Sequence, residues 1–232
     1  MPTMIGWIRA ARDHPSAVLL TAQLIGVLVY PFMDDSHLGR SLISAIGILI
    51  LGLVVLTVRS SPAATWFVLV LGAPATILLL IQAVTGNDDL LPYSSAIEAV
   101  LYFYAAIALI RYMLADHVIT RDELWAVGAT FTLVAWAFAF AYVVCQAIEP
   151  GTFTAADPTG DRTWTELLLL SVTNLTAAGL GDILPIKPFG RSLVMLEQMV
   201  GVGYVALVVS RLVGLMILRG RDQPPPQRSE QP

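Results

Sequence analysis

The stretch that decides the fold is TWTELLLLSVTNLT at residues 163–176, followed directly by AAGLGD at residues 177–182. The first part is apolar and helix-like, but its 14 residues extend only about 21 Å at 1.5 Å per residue. Because a hydrocarbon core is about 30 Å thick, this segment is too short to cross a membrane and is typical of a re-entrant helix. Thr163 or Thr165 can cap its start.

Two glycines in the second part, Gly179 and Gly181, can both take positive φ without steric cost. If successive residues there alternate between left-handed and right-handed backbone conformations, their carbonyl groups can point in one direction. Non-helical backbone at membrane depth is tolerated only where it is buried or lines a water-filled path. A ring of such carbonyls can replace the hydration shell of an ion, which is how a selectivity filter works. The C-terminal end of the short helix would aim its partial negative charge at the same place.

The composition of the whole chain indicates an integral membrane protein. Of its 232 residues, 56% are hydrophobic and only 13% are charged, about half of the roughly 25% found in soluble domains. The net charge of −4 argues against nucleic-acid binding. The single cysteine, Cys145, permits neither an intrachain disulfide nor a thiolate metal site.

Six apolar runs are long enough to cross a membrane as helices, and they lack the alternation of a transmembrane β-barrel. We therefore predict an all-α membrane protein with six transmembrane helices, one re-entrant pore helix and one selectivity-filter loop. The runs cover residues 17–33, 42–58, 63–84, 91–114, 124–148 and 192–218.

The distribution of Lys and Arg predicts the orientation of these helices. With the N-terminus inside, the inner segments carry nine basic residues and the outer segments carry four. We therefore expect a multi-pass protein of the plasma membrane with both termini in the cytoplasm. The outer segments also hold nine acidic residues, which would either concentrate cations at that face or form a solvated rim.

The second half of the chain resembles the potassium-channel superfamily. SVTNLTAAGLGD at residues 171–182 is similar to the family's pore-helix and filter pattern SVTTLTTVGYGD. Gly181-Asp182, Pro185 and Gly190-Arg191 then repeat the family's spacing between the filter and the inner helix. The resemblance covers about residues 124 to 218 and does not include the first four runs.

The resemblance implies a role for each matching residue. Asp182 and Thr173 would support the filter, and Gly201 would be the hinge of the inner helix. No catalytic residue, bound metal or cofactor is implied, because potassium or another monovalent cation only passes through. The implied partners are the lipid bilayer and identical subunits, since one loop supplies one wall of a filter and the family implies a homotetramer. The ion-binding carbonyls would belong to Thr176, Ala177, Ala178, Gly179, Leu180 and Gly181.

The filter side chains depart from the family pattern. Ala177 replaces a threonine, Ala178 a valine and Leu180 a tyrosine, and Leu169 and Leu170 occupy positions where the family often has aromatic residues. The backbone of the filter could thus keep its shape without its usual side-chain supports. We expect potassium selectivity to be weak for this reason.

The chain is expected to have three parts. Residues 1–122 form a four-helix transmembrane region, residues 123–218 form the pore domain, and residues 219–232 form a short polar cytoplasmic tail. A voltage sensor needs several arginines spaced three apart, whereas the fourth run has only Arg111. The first four helices are therefore interpreted as a scaffold.

Two carboxylates lie within the apolar runs, and such residues are functional hypotheses by default. Glu197, between Arg191 and Gly201, should lie at the depth of the filter and support it through a hydrogen bond with Ser171, Thr173 or Asn174, with direct contact to the ion as the alternative. The sequence names no partner for Glu98. Arg211, near the inner end of the last run, is expected to snorkel toward the interface.

The sequence therefore predicts a subunit of a tetrameric cation channel, with passive potassium conduction, and not an enzyme. A non-selective cation channel and a non-conducting scaffold with a degenerate filter are the alternatives. A membrane-embedded enzyme would need a catalytic set that Glu98, Glu197 and Cys145 do not supply.

Overall fold

The computed structural model describes residues 14–29, 50, 52–53, 62–85, 88–115, 120–154, 160–179 and 181–221. These residues form helices joined by turns, and a β-bridge pairs Phe153 with Pro185. A 3-10 turn, Asp88–Leu90, precedes the third helix. The helices are α1 (Pro15–Val29), α2 (Pro62–Thr85), α3 (Leu91–Leu114), α4 (Arg121–Ile148), α5 (Trp164–Leu175) and α6 (Pro188–Arg221).

Three helices in the described part are long and apolar enough to cross a membrane, within α3, α4 and α6. This confirms the prediction of a helical membrane protein. The predicted run at 42–58 lies outside the described residues except for residues 50, 52 and 53. Shorter apolar segments lie at Pro15–Val29 and Val70–Gln82, so the full count of six spans stays a prediction.

Side-chain caps define where α4 and α5 begin. The Thr120 hydroxyl accepts a hydrogen bond from the Glu123 amide at 3.2 Å, and acidic residues in the first turn of α4 suit the positive end of the helix dipole. Thr163, one of the two expected caps, starts α5. Its hydroxyl accepts from the Glu166 amide, while its own amide donates to the Glu166 carboxylate at 2.6 Å. This capping box makes α5 a separate helix of 12 residues.

Helix α4 is the centre of the structure, because it contacts α1, α3, α5 and α6. More than half of the residues in its span are buried, whereas α6 buries fewer than a quarter of the residues in its own span. Its buried surface combines small residues with aromatic ones, so that neighbouring backbones approach closely while the rings fill the remaining space. The buried residues include Ala126, Ala129, Ala135, Ala137, Ala139, Trp136, Phe138 and Tyr142.

The contacts of α4 fix the directions of its neighbours. Helix α1 runs parallel to α4, since Ser16 bonds to Asp122 and the Leu20 side chain lies against Gly128. Helix α3 runs antiparallel, since Phe103 contacts Phe138 at 5.0 Å between ring centroids and, further along α3, the Tyr112 hydroxyl donates to the Asp122 carboxylate at the start of α4. We call the end where α4 begins the Asp122 end. The opposite end, where α4 finishes and α6 begins, is called the filter end after the loop that the sequence predicts to be a selectivity filter.

Helix α6 is attached to α4 by polar contacts at seven-residue intervals. Near the filter end the Tyr142 hydroxyl donates to the Glu197 carboxylate, and halfway along α6 the Tyr204 hydroxyl donates to the Val127 carbonyl at 2.6 Å. At the Asp122 end, Arg211 forms an ion pair with Glu123 at 3.0 Å. Both of these side chains are largely buried, so Arg211 does not snorkel as expected: a carboxylate lies within its reach on the neighbouring helix.

Gly201 is the point of closest approach between α5 and α6. A Cβ atom there would lie 2.1 Å from the Leu175 carbonyl oxygen and 2.8 Å from its carbonyl carbon. Gly201 is therefore required for close packing within a continuous helix. Its expected role as a hinge stays a prediction.

Replacing Asp122 with alanine should detach α1 from α4. Its carboxylate accepts from the Ser16 amide at 3.1 Å and from the Ser16 hydroxyl at 2.8 Å, both buried. We expect a loss of about 2 kcal/mol in the free energy of unfolding, measured as a lower melting temperature in detergent. Ser16→Ala should give a smaller loss, and Asp161→Ala, at an exposed position, should give none. Equal melting temperatures for all three variants would show that the hydrogen bonds between Ser16 and Asp122 do not hold α1 against α4.

Replacing Gly201 with alanine should be strongly destabilising, because the obstacle is backbone and not a flexible side chain. We expect a cost of about 3 kcal/mol, at the upper end of overpacking effects. The matched control is Gly203→Ala on the same helix, where no atom lies within 4 Å of the added Cβ. That change should be neutral or stabilise by up to about 1 kcal/mol through helix propensity. Thermal unfolding of the two variants is the measurement. A lower melting temperature for Gly201→Ala alone indicates that Gly201 is needed for packing, whereas equal melting temperatures would contradict this.

Candidate functional site

Helix α5 starts at the filter end and is held there by α4. The Gln146 side chain forms two hydrogen bonds with the backbone of Arg162, donating to its carbonyl at 2.8 Å and accepting from its amide at 3.0 Å. Trp164 packs edge-on against Trp136 at 5.0 Å between ring centroids, and also contacts Phe140. From there α5 runs into the bundle until Leu175 meets Gly201.

The end of α5 is closed by its own following residues. The Ala177 amide donates to the Asn174 carbonyl at 3.0 Å, and the Ala178 amide donates to the Thr173 carbonyl at 2.9 Å. Ala177 has φ +55°. These three features define a Schellman motif, in which the left-handed position is usually glycine. The Gly179 amide adds a further bond to the Thr173 carbonyl at 3.2 Å.

This closure determines where the next carbonyl groups point. In a trans peptide the N–H and the preceding C=O are antiparallel, and the described residues contain no cis peptide. The amides of residues 177, 178 and 179 all point back to α5. The carbonyls of Thr176, Ala177 and Ala178 therefore all point away from the end of α5.

The left-handed residues of the segment are Ala177 and Gly179, the latter with φ +64°. The expectation of positive φ at both glycines is correct for Gly179 and wrong for Gly181, which is outside the left-handed region. The two left-handed residues are still two positions apart. They are residues 177 and 179 instead of the expected 179 and 181, because Ala177 closes α5. Leu180 lies outside the described residues.

Thr173 and Asn174, in the last turn of α5, make the polar side-chain contacts next to this segment. The Thr173 hydroxyl donates to the Leu170 carbonyl at 2.9 Å, while its carbonyl accepts the two amides described above. The side-chain amide of Gln198, on α6, donates to the side-chain oxygen of Asn174 at 3.1 Å. Asp182, expected to support the filter, is exposed.

Glu197 is fully buried between α4, α5 and α6. It contacts the Ser171 hydroxyl, one of its three expected partners, and the Tyr142 hydroxyl. Ser171 in turn lies 2.8 Å from the Ala135 carbonyl oxygen. Sequence reasoning missed Tyr142, although a tyrosine in an apolar run signals that its hydroxyl needs a partner.

The chain after Asp182 returns to the filter end and pairs with residues 149–154. The Thr154 amide donates to the Leu184 carbonyl and the Ile186 amide donates to the Thr152 carbonyl, both at 2.9 Å. Lys187 lies 3.8 Å from the Glu149 carboxylate. Both ends of the segment are thus anchored, at Leu175 and at this pairing.

The segment between these anchors lies on the surface of the chain, since residues 176–179, 181 and 182 are exposed. The uncovered side of α6 adjoins it and is largely apolar. Its exposed hydrophobic side chains include Met195, Leu196, Met199, Val202, Val205, Val209 and Val213.

Glu98 does not belong to this site. It is buried on α3, one turn from the buried Tyr102, whose ring stacks on Phe140 at 5.5 Å.

Comparison with known proteins gives a match over the part of the chain that contains the exposed segment. Residues 129–217 match a family model described as "Ion channel", which takes in most of α4, all of α5, the exposed segment and most of α6. No curated protein and no solved structure matches the chain. The match indicates an ion channel and supports an ion-channel pore domain over these residues, within a protein that has membrane-spanning helices.

Proposed function

We propose that this chain is one subunit of a homotetrameric cation channel, with residues 176–181 as its selectivity filter and potassium as its main permeant ion. The observation that carries the proposal is the common direction of the Thr176, Ala177 and Ala178 carbonyls on an exposed surface. A row of carbonyl oxygens on one side of a backbone is the coordination that a dehydrated monovalent cation requires. Conduction needs no covalent chemistry and no cofactor.

The charge of the site favours cations over anions. The C-terminal end of α5 carries a partial negative charge of about half an elementary charge, and the carbonyls lie directly beyond it. The segment reaches this depth from the filter end and returns there, which supports its interpretation as a re-entrant pore loop.

Exposed backbone carbonyls also support assembly into a tetramer. Lipid can cover the apolar side of α6, but it cannot hydrogen-bond to the polar backbone of residues 176–179. If copies of the same loop surround a water-filled axis, the polar backbone faces water and the apolar side of α6 packs against neighbouring subunits. Closed cyclic symmetry then completes the ring. α6 then lies nearest to the axis.

The helix directions support the six-span topology. The Gln82 side chain donates to the Ser94 hydroxyl at 2.9 Å, so the end of α2 and the start of α3 share one end of the bundle. Since α1 and α4 are parallel and α3 is antiparallel to them, α1 ends at the filter end and α2 begins at the Asp122 end. Together with the distribution of basic residues, this favours a plasma-membrane protein with the Asp122 end and both termini in the cytoplasm.

Ion flux tests the proposal directly. Purified protein in liposomes should conduct potassium, and native mass spectrometry should give a tetramer. Gly179→Val should abolish the flux, because a β-branched residue is strongly disfavoured at φ +64°. The control is Gly72→Val in α2, where nothing lies within 4 Å of the added Cβ, and it should conduct normally. A tetramer without flux would favour a non-conducting scaffold, and equal reversal potentials in potassium and sodium would favour a non-selective channel.

Ala177 gives a second prediction, on filter stability. Ala177→Gly should stabilise the protein by about 1 kcal/mol, because alanine is strained in the left-handed region. Ala177→Thr introduces the threonine of the family pattern, but a β-branched residue at φ +55° should lower both the melting temperature and the flux. Ala178→Thr, outside the left-handed region, should have a smaller effect on stability. A stable, more selective Ala177→Thr variant would show that residue 177 is not left-handed in the working channel.

A further inference from the structure

Five oxygen atoms from four residues form a continuous row behind the proposed filter. The Tyr142 hydroxyl contacts Glu197 Oε2, and Glu197 Oε1 contacts the Ser171 hydroxyl. The Ser171 hydroxyl also lies 2.8 Å from the Ala135 carbonyl oxygen. The row joins α4, α6 and α5 and returns to α4. Glu197 and Ser171 are fully buried.

The protons in this row can be counted. A serine hydroxyl has one hydrogen, whereas a carbonyl oxygen and an ionised carboxylate can only accept. If Glu197 were ionised, Ser171 would face two acceptors with one proton, and one of its two short contacts would be a repulsion between lone pairs. If Glu197 Oε1 carries a proton, it donates to Ser171, Ser171 donates to Ala135, and Tyr142 donates to Oε2. Each contact then has one proton.

The charges around Glu197 agree with this count. Among the described residues Glu197 forms no ion pair. Tyr142 is the titratable group of α4 that faces it, with Cys145 one turn further along. On α5 the charged residue is Glu166, which is bound in the capping box. On α6 the nearest charged residue is Arg191, six positions away, whose Nε donates to the Pro185 carbonyl. An ionised carboxylate buried without a cation is strongly unfavourable.

We infer that Glu197 is a proton-binding site, held as a neutral carboxylic acid at neutral pH, which ties α5 to α4 and α6 behind the filter. Loss of this proton at alkaline pH places a negative charge against the Ser171 oxygen and leaves Ser171 with competing acceptors. The attachment of α5 then weakens, and ion flux falls. The dependence of flux on pH rests on the proposed channel function, whereas the proton site itself does not.

Infrared spectroscopy tests the proton site without any measurement of conduction. The difference spectrum between wild type and Glu197→Gln at neutral pH should contain the C=O stretching band of a protonated carboxylic acid. Tyr142→Phe should shift this band to higher frequency, because the carbonyl oxygen loses its hydrogen-bond donor. Glu98→Gln is the control, and its difference spectrum should leave the band assigned to Glu197 in place. Carboxylate bands in the Glu197→Gln difference spectrum at neutral pH would overturn the proposal.

Stability and flux as functions of pH test the consequence. Glu197→Gln supplies an N–H group to Ser171 and an oxygen to Tyr142 and has no proton to lose. It should therefore match the wild-type melting temperature at acid pH, where the unfolded chain also keeps its carboxyl protons, exceed it at neutral pH, and lack the alkaline decrease in flux. Ser171→Ala should be less stable at every pH. A Glu197→Gln variant that keeps the full alkaline decrease would overturn the regulatory role. Absence of flux from wild type at all pH values, with the infrared band present, would contradict the channel function and leave the proton site supported.

Discussion

The arrangement of the site depends on one constraint, which is that the last carbonyls of a short buried helix must find hydrogen-bond donors inside the protein. Helix α5 meets this constraint with the amides of residues 177–179, which fold back onto Thr173 and Asn174. Because each peptide is planar, the same three bonds turn the opposite carbonyls outward. The closure of the helix and the exposed row of acceptors are thus two consequences of a single backbone conformation.

The rest of the region that matches the ion-channel family model keeps this turn in place. Gln146, Trp136 and Phe140 of α4 fix the start of α5, and Gly201 of α6 lets Leu175 approach at its end. Polar contacts of α6 with α4 recur at positions 197, 204 and 211, which is two helical turns apart each time. A seven-residue repeat returns to nearly the same face of a helix, so one face of α6 is bound to α4 and the other face stays uncovered.

Local chemistry allowed much of this to be predicted from the sequence. The bounds of α3 agree with the predicted run at 91–114, and the short α5 follows from the Thr163 cap and the limited apolar stretch. The contact between Glu197 and Ser171 was among those expected. The tertiary contacts were not predictable, because each joins residues that are far apart in the chain. They are the ion pair of Arg211 with Glu123, the contact of Tyr142 with Glu197 and the close approach of Gly201 to Leu175. The left-handed φ at Ala177 instead of Gly181 also depends on how α5 ends.

Alanine at position 177 is informative because glycine would be the easier residue there. A non-glycine residue in the left-handed region costs about 1–2 kcal/mol, and such strain is retained where the surroundings over-determine the conformation. Here three backbone bonds and the packing of Leu175 impose it. Alanine also has fewer unfolded conformations than glycine, so part of the strain is offset by a smaller entropic cost of folding. In a segment whose side chains offer little support of their own, backbone closure is therefore the feature that holds the carbonyls in position.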